Sequence, residues 1–137
     1  MLKVHKPGSI APPFSTYSPG MEVPAEARWL YISGQVGVEP DGTIPDDPEA
    51  QMECVWRNLL AILGSAGMGP HDLVKVNGYI TRAEDVGLYR QVRERMIPGA
   101  EPASTLVVVQ ALAHPDWLVE IEAVAAQVPP LKAHQTR

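Results

Sequence analysis

Two glutamates, Glu120 and Glu122, stand two residues apart in the stretch VEIEA, Val119 to Ala123. Side chains alternate along an extended chain, so both carboxylates share one face, and Val119 and Ile121 share the other. A positioned carboxyl group can hold a water and shuttle a proton. Two carboxylates on a solvated face, or in ion pairs, would read the same way. Other polar groups stand elsewhere in the chain. Tyr17 sits in the loop FSTYSPG, where its hydroxyl can cover a pocket or its ring can cap the core. Gly34 interrupts a strongly extended segment at SGQ, marking a bulge or a close backbone approach. Ser104 and Thr105 can hydrogen-bond a small polar ligand. Neither Ser104 nor Ser33 has a histidine base suggested nearby, which argues against a serine nucleophile.

Cys54 is the only cysteine, so an internal disulfide and a thiolate metal cluster are both excluded. It falls among helical residues and reads as a buried packing group rather than a reactive thiol. His5, His71, His114 and His134 are scattered without metal-ligand spacing. The expectation is therefore no metal site.

These groups must be positioned by a chain of 137 residues, which suits one domain spanning 1–137. A hydrophobic content of 45% fits a globular protein with a real core. No apolar run is long enough to span a membrane, and MLKVHKPGSIAPPF does not resemble a signal peptide, so a cytoplasmic setting is expected. The net charge is -5 with only 11 Lys and Arg, which argues against a nucleic-acid surface. The one basic cluster, YRQVRER, holds Arg90, Arg93 and Arg95 and reads as an ordinary helix exterior.

The coarse order is β, β, α, β, α, β, β. Lys3 to His5 fits a short edge strand, followed by a Pro- and Gly-rich loop. RWLYISGQVGV is the first strong strand. In DDPEAQMECVWRNLLAILGSAG, Asp47 is an N-cap and Pro48 the first helical residue. Met52, Val55, Leu59 and Ile62 form an apolar stripe, and Gly64 or Gly67 ends the helix. Asn58 lies beside the stripe and needs partners, such as the backbone of a neighbouring strand. HDLVKVNGYITR places Val74, Val76 and Gly78 on one face, and Lys75, Asn77 and Tyr79 on the other. Thr81 has capping-box spacing to Glu84 before a second helix. The apolar run TLVVV fits a strand buried on both faces, and WLVEIEAVAAQV is the last strand. VPPLKAHQTR forms a prolyl and then polar tail. Two helices can cover one face of such a mixed sheet, giving an α+β domain. The other face carries enough apolar surface that burial against neighbouring subunits is a reasonable solution.

In order along the chain, FSTYSPG, LYISGQVG, QMECVWRNLLAILGSAG, DLVKVNGYIT, LYRQVRERM, PAST and VEIEAVA resemble the RidA family, also called the endoribonuclease L-PSP family. The resemblance implies a chorismate-mutase-like α+β fold and a homotrimer with three clefts between subunits. It implies a cofactor-independent enamine or imine deaminase acting on small reactive products of pyridoxal-phosphate enzymes. It assigns the catalytic glutamate to Glu120 and substrate contacts to Tyr17 and Gly34. A pocket aromatic of the family falls on Arg93, which either stays a solvated helix arginine or reaches into the cleft. Where the deaminases carry arginine after Pro-Ala, this chain has Ser104, followed by Thr105. A neutral hydroxyl cannot reproduce a bidentate grip on a carboxylate. The substrate expected is therefore a larger or differently charged imine. A non-catalytic small-ligand binder or regulatory protein is the alternative, and a ribonuclease ranks last.

Overall fold

The computed structural model describes residues 1–130; the polar end of the tail, with His134, lies outside them. Among the described residues, six strands and two α-helices follow in the order β1 (Lys3–His5), β2 (Gly20–Glu22), β3 (Arg28–Val36), α1 (Pro48–Ser65), β4 (Leu73–Ile80), α2 (Val86–Met96), β5 (Ala103–Val108) and β6 (Val119–Gln127). The main sheet has the order β3-β6-β4-β5. Only β4 and β5 run parallel; β6 pairs antiparallel with both β3 and β4. This is the mixed α+β sheet expected. β1 does not join it, but pairs with β2 in a separate ribbon, which His5 and Glu22 pin with a 2.7 Å side-chain bond.

Local chemistry explains α1. The Asp47 carboxylate accepts a hydrogen bond from the Ala50 amide at 3.1 Å, satisfying one of the free amides of the first turn. At the other end Gly67 adopts φ +69°. The Met68 and Gly67 amides donate back to the Leu63 and Gly64 carbonyls at 2.9 and 3.0 Å, the double closure that a left-handed residue permits. Between these stops, Met52, Val55, Trp56, Leu59 and Leu63 are fully buried. Each such side chain contributes about 1.5–3 kcal/mol by leaving water. Cys54 is buried among them, and burial raises its thiol pKa. Asn58 finds the partners it needed in the Val36 and Val38 carbonyls, at 3.3 and 3.2 Å.

Both helices pack on one face of the sheet, against Val76, Ile80, Val119, Ile121, Ala123 and Ala125. Gly78 lets α2 approach. A Cβ there would fall 2.7 Å from Tyr89 Cζ, inside contact distance. Two expectations are corrected. The capping box from Thr81 to Glu84 does not form. Arg82 caps the short turn before α2 without a side-chain bond to its backbone, and its guanidinium grips Asp85 at 2.8 and 3.1 Å. The run TLVVV is not buried on both faces either. β5 is an edge strand, with Thr105, Val107 and Val108 exposed, because nothing among the described residues covers them. Trp29 and Tyr31 of β3, stacked 6.4 Å apart, are exposed as well. Among the described residues no helix is long and apolar enough to cross a membrane.

Candidate functional site

Glu120 is held on the sheet face that the helices leave open. Its partner on β4 is Tyr79, and that of Glu122 is Asn77. Asn77 donates to Glu122 at 3.1 Å, so the second glutamate is tied to the sheet. The Tyr79 phenol has its pKa raised, by burial first and by Glu122 next. On the other side of β6, the pairing with β3 slips between Ile32 and Gln35. Ser33 and Gly34 form the bulge that the SGQ interruption foreshadowed. The slip presents bare backbone at Gly34 to Glu120. A Cβ at Gly34 would lie 2.9 Å from Glu120 Cδ and 3.1 Å from its Cγ. Beside this contact a depression of about 270 Å³ opens, lined by Tyr31, Ser33, Gly34, Asn77 and Glu122.

A second group gathers on the helix side, at the edge strand. The loop 14–18 folds over the start of β5, where the Ser18 amide bonds to the Pro102 carbonyl at 3.1 Å. Under that loop, Ser15, Tyr17, Arg90, Arg93, Ser104 and Leu106 line a cavity of about 150 Å³. The Tyr17 hydroxyl accepts from the Phe14 amide at 3.2 Å, which fixes its ring in the cavity wall. Arg93 is not the solvated helix arginine that its sequence context allows. It is 3% exposed, donates to Ser15 Oγ, and packs over the Tyr89 ring with Cζ 6.0 Å from the centroid. Burial lowers its pKa.

The structure therefore gathers the sequence candidates into two clusters. Tyr17, Arg93 and Ser104 come together; Glu120 and Gly34 come together. The clusters lie on opposite faces of one sheet. Thr105 parts from Ser104: its register partner is Asn77, and it accepts from Lys75 Nζ at 2.8 Å on the open face. Sequence reading did not single out Ser15 and Arg90, which stand beside Arg93, or Tyr79, which stands beside Glu120. Alternation put Asn77 and Tyr79 on one face, but the register that sets them against β6 is a long-range fact. Among the described residues no group of three or more His, Cys, Asp and Glu is close enough to hold a metal ion.

A sequence profile described as Endoribonuclease L-PSP matches residues 9–127. This chain belongs to the endoribonuclease L-PSP family. A curated relative, the 2-iminobutanoate/2-iminopropanoate deaminase of Mus musculus, is 33% identical over 93% of this chain and 90% of its own length. Among solved structures, the Rid-family protein YyfB from Yersinia pestis superposes with a TM-score of 0.82. It is 33% identical, and the match covers 92% of this chain and 98% of that one. RidA from the Antarctic bacterium Psychrobacter sp. PAMC 21119 gives a TM-score of 0.68 at 30% identity, covering 90% and 98%. In this member of the endoribonuclease L-PSP family, position 104 is a serine and position 93 a buried arginine.

Proposed function

We propose that the protein is a cofactor-independent hydrolase that converts a small enamine or imine to a carbonyl compound and ammonia. The observation that carries this reading is the Glu120 carboxyl lying on the bare backbone of Gly34, a residue that lines an open depression. Imine hydrolysis asks for little more. Glu120 holds a water beside the C=N carbon and takes its proton as the C–O bond forms. The proton passes to nitrogen to give a carbinolamine; Glu120 then carries the hydroxyl proton to nitrogen as well, the C–N bond breaks, and ammonia leaves as the carbonyl forms. Holding water, carboxyl and substrate in contact removes most of the entropic part of the barrier. The name of the mouse relative supports the reaction class.

The site is completed between copies of the chain. Glu120 and Gly34 cannot reach Tyr17, Arg93 and Ser104 through their own sheet. Packing the edge strand β5 of one copy against the open face of another would bring the two groups together. It would also cover the exposed Trp29, Tyr31 and Val107. A homotrimer with three such clefts is the assembly proposed. Cytoplasm is the compartment proposed, since a fold with one buried cysteine and no disulfide suits a reducing environment.

The test is ammonia release from a panel of freshly generated imines by the wild type and by Glu120→Gln. A loss of about 100-fold or more in kcat with the fold intact is expected for a proton-transfer group. Equal rates would remove Glu120 from the chemistry. Ser104 favours a second reading, a binder without turnover, because it gives the cavity no bidentate grip on an anion. Saturable binding with no release from any imine would establish that reading instead.

A further inference from the structure

Arg93 is a buried cation that forms no ion pair among the described residues, although the neighbouring Glu94 acts on it by charge. The arginines at positions 57, 82 and 95 each pair with a carboxylate, but no carboxylate pairs with Arg93 among the described residues. Its partners are the Ser15 hydroxyl and the Tyr89 ring, and its Nε has no hydrogen-bond partner among the described residues. Glu94, the next residue, is engaged by the Thr16 hydroxyl instead. The guanidinium remains protonated at any physiological pH. A charge placed so far from water is costly unless something compensates it. One turn earlier, Arg90 brings a second guanidinium to the same cavity, and no acidic side chain lines that cavity.

We propose that Arg93, with Arg90 at the rim, forms an anion seat, and that the molecule this protein acts on carries a carboxylate that binds there. The charge comes from α2 rather than from β5, because Ser104 on β5 offers only a hydroxyl. The carboxylate is held deep under the loop 14–18. Its Arg93 bonds are charge-assisted on both sides, the strong kind. Ser15 Oγ and the Tyr17 ring shape the mouth. Arg93 is thus a binding and specificity residue, and Tyr89 positions it by offering its ring face. The proposal names the substrate class for the deaminase reading and rests on that reading for the reaction alone; the anion seat stands on its own geometry.

The experiment compares butyrate with butyramide, its neutral isostere, by titration calorimetry on the full chain. Butyrate is expected to bind at least ~10-fold more tightly, the value of one charge-assisted hydrogen bond. Arg93→Met should abolish the difference, and Arg93→Lys should keep part of it. Circular dichroism and thermal unfolding show whether Arg93→Met keeps its fold. Should it not fold, the wild type decides with Arg90→Gln: butyrate affinity must fall about 3-fold, and added chloride must compete with butyrate but not butyramide. Equal binding of the two probes overturns the proposal, as does unchanged butyrate affinity in Arg93→Met. The two readings fail separately. Butyrate held by Arg93 with no imine hydrolysed leaves the seat and removes the deaminase. Equal turnover of carboxylated and uncharged imines keeps the deaminase and removes the seat.

Discussion

The Glu120 carboxyl rests directly on Gly34, where the bulge in β3 leaves no side chain between them. The contact joins two strands through one carboxyl group and one missing methyl. It explains why a glycine stands in a segment otherwise rich in strand-forming residues. The backbone at Gly34 is not left-handed, so the glycine answers to space rather than to conformation.

Gly34→Ala tests that point. Its Cβ would overlap the carboxyl, and Glu120 must swing away. Displacing a reacting group by about 1 Å costs on the order of 100-fold in rate. We expect a fall of that size in kcat for imine hydrolysis. Thermal unfolding should shift by only a few degrees, because the backbone angles suit alanine.

Gln51 should matter to stability although it lies far from the chemistry. It is 1% exposed, donates to the Pro45 and Asp116 carbonyls at 2.9 and 2.8 Å, and accepts from the Leu118 amide at 2.9 Å. One side chain thereby ties α1 to the turn that launches β6. Gln51→Met preserves volume and leaves three partly buried backbone groups without this partner, at a cost of about 1–3 kcal/mol. Urea denaturation should show the lost stability, and amide exchange at Leu118 should quicken.

Alkaline pH should weaken the fold through Tyr89. Burial pushes its phenol up to about 12, from an ordinary value of 10.0. Between those values the unfolded chain has lost the proton while the folded chain keeps it. The stability this group provides is therefore complete below pH 10, falls as pH rises, and is gone above pH 12. The swing is roughly 2–3 kcal/mol. Chemical denaturation from pH 9 to 12 should show it, and Tyr89→Phe should remove that part of the slope. The same variant discards a buried hydroxyl that has no partner among the described residues, so its stability at pH 7 should match or exceed the wild type.

Much of the fold was legible because its signals are local. Asp47, Pro48 and Gly67 mark the ends of α1 by their own backbone chemistry. Alternation separates Glu120 and Glu122 from Val119 and Ile121, and the bulge announces itself as a glycine. What escaped depends on distant parts of the chain. The pairing of β1 with β2 joins three-residue strands too short to carry a pattern. The Thr81–Glu84 spacing is sound by itself, but the Arg82–Asp85 pair takes the turn. TLVVV reads as doubly buried because a sequence cannot say which strand ends at an edge. Arg93 reads as exterior in a helix of charged residues, and only the loop 14–18, eighty residues away or nearly so, closes over it.

The division of polar groups between the two faces of one sheet has a genetic corollary. In the proposed assembly, a chain crippled at Glu120 still lends a sound Arg93 to its neighbour, and a chain crippled at Arg93 still lends a sound Glu120. Co-folding equal amounts of two such inactive chains would regenerate intact crevices in about a quarter of positions. Two separately dead alleles would then restore function when expressed together.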